Sequence, residues 1–347
     1  MGRTVKHYVR GISGLQRLGV LALALIIAGC TPPPKPEPPA EPETLEPATS
    51  TPALPKRPPA KAGPGPATPQ ALDVDILVSA DLPAYLAVAR ALRETIPGSV
   101  RTHFMKGDPR TAPIILPRIR ENTGDQVVGI GLLAARAAQS LPDRQVVFCQ
   151  VFNYGDAGLV ADNSKGIALV PGPLFQLGTW KTLQPRLTRV GLLIGPNQAP
   201  LIAAANDAAE TLGIELVVRE VTSDKAMLVA LNEIAPQLDG LWLLPDNRIL
   251  STTALRALMS YSLKHGITVA GFDHQLLSHG ALLTLTPRHD DIARTVLERL
   301  QAGKGKAAIP GPGVVFLDAG DVRVNARMAE RLDLVIPPEL RITSDAP

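Results

Sequence analysis

The stretch RVGLLIGPNQAPLIAAANDAAETLGIELVVREV, residues 189–221, holds one complete strand–helix–strand unit. Its first run, Arg189 to Gly195, is apolar without alternation, the pattern of a strand covered on both faces. Gly195-Pro196 breaks that run, an alanine-rich helical pattern follows, and IELVVREV returns as a β-branched strand. The rhythm continues through SDKAMLVALNEIAPQL, GLWLLP, a helix reaching Ser262, ITVAGFD (267–273) and GALLTLTP (280–287). The same alternation runs upstream. VDILVS (74–79), LPAYLAVARALRETI, SVRTHFM, TAPIILPRIREN, QVVGIG (126–131), LLAARAAQS and QVVFCQVF (145–152) follow one another in that order.

Strands alternating with helices of this length predict an α/β fold of parallel sheets covered by helices. Two such series, of roughly 100 residues each, predict two lobes rather than one large sheet. The N-terminal lobe is placed at 71–175, completed by part of 288–320. The C-terminal lobe is placed at 185–287, completed by part of 320–340. PGPLFQLGTWKTLQP between them marks the first crossover. Ligands of open parallel sheets bind beyond the carboxyl ends of the strands. The ligand cleft is therefore expected between the lobes, lined by turns such as FNYGD, GPNQAP, PDNR and FDHQ.

The first 70 residues read differently. Arg3, Lys6, Arg10 and Arg17 precede an apolar run from Leu18 to Ala28, a secretory n-region and h-region. That run is shorter than the roughly 20 residues of a spanning helix. Leu25-Ile26-Ile27-Ala28-Gly29-Cys30 resembles the lipobox of bacterial lipoproteins, which makes residues 1–29 a signal peptide and Cys30 the lipidated residue. Residues 31–70 hold fifteen prolines in forty positions. With Cys30 they form an expected disordered tether of reach up to about 120 Å. The whole chain carries a formal charge of +3, and losing the leader's four positive residues leaves −1. Such a chain has no electrostatic footprint for nucleic acid. The second cysteine, Cys149, lies in an apolar run and reads as a small buried side chain.

From about residue 189 onward the chain resembles the substrate-binding proteins of ABC transporters, in the branch linked with tryptophan and tyrosine. The residues that carry the resemblance are RVGLLIGPNQA, LDGLWLLPDNRILSTTALRALMSYSLKHGITVAGFD and HGALLTLTPRHDDIARTVLERLQAGKGKAAIP, with a terminal run of Asn325, Ala329, Leu332, Ile336 and Pro337. The resemblance implies a two-lobed type I periplasmic-binding-protein-like fold that captures a small polar solute, an amino acid or a related compound, by lobe closure. It also implies delivery to an ABC permease and its ATPase. The first lobe departs from the family pattern, because Leu132-Leu133-Ala134-Ala135 stands where polar residues are usual.

Strand-end residues are the candidate ligand contacts. Asp246 and Asn247 follow the strand that ends at Pro245, and a carboxylate there suits an ammonium or hydroxyl. Asp273 ends its strand in the same way. Asn197 and Gln198 open a helix whose amides favour an anion. Asn153 and Tyr154 are the contribution of the first lobe, beside Phe152. Asn247 or Ser251 is also a natural helix cap. The histidines lack metal-site spacing, GKGK lacks the rest of a phosphate loop, and no nucleophile elbow occurs. Neither an enzyme, a cofactor nor a metal is expected.

A protein-interaction module is the rival reading, because lipoproteins with lobes of this type also contact cell-wall synthases. The long tether and the apolar first-lobe turn favour it. So does Thr31 after the lipidated cysteine, which points to the outer membrane in a two-membrane envelope facing the periplasm.

Overall fold

The computed structural model describes residues 70–343 except Ala307. The expected signal peptide, the expected lipidated Cys30 and the expected tether therefore lie outside the described residues. Strands β1 (Leu72–Val78), β2 (Gly98–Phe104), β3 (Gln126–Ile130), β4 (Gln145–Val151) and β5 (Ser164–Pro171) form the first sheet. Their order is β2-β1-β3-β4-β5, and every neighbouring pair is parallel. Strands β6 (Arg189–Ile194), β7 (Glu215–Glu220), β8 (Gly240–Trp242), β9 (Thr268–Gly271) and β10 (Leu283–Thr286) build the second sheet in the order β7-β6-β8-β9-β10. The two lobes thus share one doubly wound topology.

Helices cover both faces of each sheet, and this explains the unalternated strands. β3 and β4 are buried at every position. On one face of the first sheet, helix α1 (Pro83–Thr95) packs through Val88 and Leu92. On the other face lie α2 (Ala112–Glu121) and α3 (Leu132–Gln139), through Ile115, Ile119 and Ala134. The second sheet is covered by α4 (Pro173–Leu183) and α5 (Ala199–Thr211) on one side. On its other side are α6 (Asp224–Ile234) and α7 (Thr252–His265). Ser223 and Ser251 cap α6 and α7, accepting from Ala226 and Ala254 amides at 3.2 and 3.1 Å. Ser251 rather than Asn247 therefore starts α7, and Gly266 ends it in the left-handed conformation.

Three crossovers join the lobes. The first runs from β5 into α4, whose Leu177, Trp180 and Leu183 pack in the second lobe's core. From β10 the chain returns to the first lobe as α8 (His289–Gly303), with Ile292, Val296 and Leu300 against the α1 side of the first sheet. Strand β11 (Val314–Leu317) then extends that sheet beyond β5. The third crossover leads to β12 (Asp321–Asn325), antiparallel to β10, followed by α9 (Ala326–Arg331) and β13 (Arg341–Thr343). The second sheet is therefore mixed at this edge rather than wholly parallel. Between β10 and β12 the chain passes through α8 and β11 of the first lobe, so the antiparallel edge is set by the third crossover.

Candidate functional site

In a sheet of order 2-1-3-4-5 the connections diverge at the carboxyl ends of the first and third strands, leaving a crevice. In the second lobe those are the ends of β6 and β8, where Gly195 to Gln198 and Asp246 to Arg248 stand. Five sequence-predicted residues meet here: Asn153, Asn197, Gln198, Asp246 and Asn247. Four of them bond to one another, and Asn197 bonds to Asp156. Asn153 of the first lobe donates to Asn247 Oδ1 at 3.1 Å and to Asp246 Oδ1 at 3.4 Å, and accepts from Gln198 Nε2 at 3.1 Å. Asn197 Nδ2 donates to Asp156 Oδ1 of the first lobe at 2.5 Å.

Arg248, which the sequence did not single out, completes this clasp. Its Nη2 and Nε donate to the two Asp246 oxygens at 2.6 and 2.8 Å, while Nη1 donates to Pro196 O at 2.9 Å and pairs with Asp156. Asp246 is 1% exposed and also accepts from the Gly195 amide at 3.0 Å. Burial pushes its carboxyl up, but the Arg248 and Gly195 hydrogen bonds outweigh burial and hold it below the ordinary carboxylate range. Gly195 packs close against this pair: a Cβ would stand 2.5 Å from both Asp246 Oδ2 and Arg248 Nη2, so one of the two would have to shift. The missed signal was the spacing in Pro245-Asp246-Asn247-Arg248, where the arginine two residues on neutralises the buried carboxylate.

The remaining predicted residues go elsewhere. Tyr154 is buried against Phe148 in the first lobe, with ring centroids 6.1 Å apart and its hydroxyl unpartnered among the described residues. Phe152 packs into the second lobe's core beside Trp242 and Leu244. Burial pushes the Cys149 thiol up to about 12, so it stays protonated. In the first lobe, Ser79 at the end of β1 accepts from the Ala134 amide at 2.8 Å and thereby caps α3. Among the described residues no group of three or more His, Cys, Asp and Glu side chains converges to hold a metal.

Asp273 is the predicted residue that reaches open space. Its Oδ1 caps the short turn at His274–Leu277, accepting from the Gln275 amide at 2.8 Å, and it lines a cavity of about 980 Å³. The crossovers form much of this cavity's wall, through Thr286, Pro287, Gly320 and Asp321, with Phe175 and Phe272 as its aromatic surface. His274 stands between Thr284 Oγ1 at 2.8 Å and Asp321 Oδ2 at 3.2 Å. Burial and the neighbouring Arg323 charge lower its tendency to protonate, against the pull of Asp321.

One wall residue is out of the ordinary. Gln150, near the end of β4, adopts φ +59°, while the β4–β5 register slips between Phe148 and Val151. A non-glycine residue there costs on the order of 1 kcal/mol or more, and a bulge of this kind re-aims a side chain. Gln150 is 9% exposed and lines the cavity, and its amide has no hydrogen-bond partner among the described residues. Nothing in QVVFCQVF marks this position, because the bulge depends on pairing with β5.

Against known proteins, no family model matches the sequence and no curated protein matches it. Solved structures do match. A substrate-binding protein with adhesive properties from Clostridium difficile, in its ligand-free open form, is 17% identical over 79% of this chain and 99% of its own, with a TM-score of 0.57. The ABC domain in complex with L-Trp from Streptococcus pneumonia is 18% identical over 78% of this chain and 97% of its own, with a TM-score of 0.53. A conserved domain protein from Vibrio cholerae is 22% identical over 78% and 97%, with a TM-score of 0.50. With two helix-covered, mainly parallel sheets joined by three crossovers, the chain has the type I periplasmic-binding-like fold.

Proposed function

We propose that this protein is a lipid-anchored, extracytoplasmic solute-binding protein that captures a small polar solute between its lobes and delivers it to an ABC permease and its ATPase. The observation that carries the reading is the cavity of about 980 Å³ walled by the lobe crossovers, with Gln150 buried on it and unpartnered. Cavities of this size bury most of a small ligand, and crossovers are where hinge closure occurs. The similarity to an L-Trp complex and to a substrate-binding protein supports the class of ligand, a solute rather than a polymer. Lipidation of Cys30 and the tether give the anchor, and Thr31 favours the outer membrane.

Thermal unfolding of the full chain against amino acids, peptides, nucleobases and sugars tests the binding half. A solute at 100 times its dissociation constant stabilises by about 2.7 kcal/mol, a clear shift in Tm. No shift across the panel counts against solute capture. Labelled palmitate incorporated by the wild type and lost in Cys30→Ala tests the anchor.

A second reading, a lobe surface that docks on another envelope protein, is favoured by one observation. Leu82, Leu86 and Leu132 are 50%, 39% and 37% exposed at the carboxyl edge of the first sheet. Crosslinking in intact envelopes, with and without Leu86→Asp, separates this reading from solute capture.

A further inference from the structure

The connection that leaves β4 is held by both lobes at once. Phe152 is buried in the second lobe's core beside Trp242 and Leu244, whereas Tyr154, two residues on, is buried with Phe148 and Leu159 in the first. Between them Asn153 fills the polar crevice of the second lobe. Its carboxamide accepts from the buried Gln198 at 3.1 Å and donates to Asn247 at 3.1 Å and to Asp246 at 3.4 Å. Asp156 then accepts from Asn197 Nδ2 at 2.5 Å and pairs with Arg248. The backbone is fitted as closely as the side chains. A Cβ on Gly155 would stand 2.6 Å from Asn197 O, and Asn197 itself holds φ +62°, a left-handed backbone in which asparagine is enriched.

A ligand closes two lobes only through the contacts it adds to the closed state. At this seam the chain's own side chains make such contacts. Opening here has to break the Asn153 hydrogen bonds and the Asp156–Arg248 pair, and it has to withdraw either Phe152 from one core or Tyr154 from the other.

We infer that Phe152–Asp156 is a strap that keeps the two lobes closed whether or not a solute is bound, with the Asn153 carboxamide as the resident occupant of the second-lobe crevice. Closure is then not the signal of capture. A solute enters the cavity beside the crossovers in a molecule that is already closed. This goes beyond the solute-binding reading above and stands or falls without it.

The test is a distance measurement between spin labels on Ile114→Cys in α2 and Val229→Cys in α6, exposed positions of the first and second lobes, in the full chain carrying Cys30→Ala. Cys149 is buried and stays unlabelled. This labelled parent is expected to give one narrow distance distribution that the solute panel leaves unchanged. Asn153→Ala combined with Asp156→Ala is expected to shift it to longer and broader distances. Gly155→Val, which removes neither polar side chain, is expected to do the same by driving the seam apart at Asn197 O. A cooperative melt shows that each variant is folded. A parent that is broad without solute and narrows when one is added overturns the strap and establishes capture by closure. Parent-like distances in both folded variants overturn the role of the segment. Silence of the solute panel in thermal unfolding, with a narrow parent and opened variants, defeats solute capture and upholds the strap.

Discussion

The Arg248 guanidinium pairs with the Asp156 carboxylate across the gap between the two lobes. The same guanidinium neutralises Asp246 inside the second lobe, so one side chain both satisfies a buried carboxylate and links the two lobes. Arg248→Ala leaves Asp246 buried without its cation and is expected to cost about 3 kcal/mol or more. Asp156→Ala removes only the half-exposed arm of the clasp and is expected to cost under about 1 kcal/mol. If the proposed strap closes the lobes, the effect falls on that closure instead, read as a larger radius of gyration by small-angle scattering. Urea denaturation and scattering on both variants check this, and equal destabilisation by the two contradicts the division of labour.

A side chain at Gly195 would press on that pair. Gly195→Ala is expected to destabilise by about 1–3 kcal/mol, because the new methyl displaces either Asp246 or Arg248. Arg248→Ala should blunt that penalty. A double-mutant cycle with coupling near zero would show that the methyl finds room elsewhere.

Asp75 in β1 is fully buried and accepts from Arg101 Nε and Nη2, both at 3.1 Å, from Asn122 Nδ2 at 2.9 Å, and from His103 Nε2 at 2.8 Å as drawn. Register puts Arg101 directly opposite it on β2. Asp75→Ala is expected to cost about 3 kcal/mol, since Asn122 and His103 lose their partner and Arg101 is left with Asp73 and Ser99. Chemical denaturation measures it, and a cost below about 1 kcal/mol would mean that water replaces the carboxylate.

The pH dependence follows from sign. For Asp75 and Asp246, burial pushes the carboxyl up, but hydrogen bonds more than reverse it and the folded value ends below the ordinary one. Their stabilisation is complete above the unfolded value of about 3.9 and is lost as pH falls through the folded values. His274 also sits below its ordinary value, chiefly through burial. Unfolding therefore takes up a proton there once pH drops below about 6.5, and stability declines from that point. Urea midpoints against pH should show a plateau above about 6.5, a shallow fall, then a steep one below about 4. His274→Gln should abolish the shallow part alone.

Arg299 in α8 is 6% exposed, and its Nε and Nη1 have no partner among the described residues, while Nη2 donates to Pro312 O at 2.8 Å. Burial lowers the affinity of this guanidinium for its proton. Replacing an under-paired buried cation by an apolar chain of similar length commonly stabilises. Arg299→Met is expected to raise the unfolding free energy by about 1 kcal/mol or more, visible as a higher Tm. A loss of similar size would show that the guanidinium is satisfied in solution.

The fold class was legible in RVGLLIG, QVVGIG and QVVFCQVF, because strands buried on both faces cannot hide their lack of alternation. SKGIALVP, which forms β5, was passed over, since a glycine near its start and a proline at its end mimic a loop. The mixed edge made by β12 was not legible either, because strand direction is a property of pairing and leaves no mark on composition. At the candidate site, the positions of Asn153, Asn197, Gln198, Asp246 and Asn247 at strand ends followed from sequence. That Asn153, Gln198, Asp246 and Asn247 bond to one another, and Asn197 to Asp156, did not.

The sequence by itself determined the period and burial of each element, hence two helix-covered sheets, because those are set by local apolar patterning. Tertiary structure alone decided the rest. It brought Asp156 and Arg248, 92 residues apart, into one ion pair, and the slip of β4 against β5 turned Gln150 into the cavity. Both are consequences of how distant segments pair, and pairing energy resides in contacts that no single stretch of chain contains.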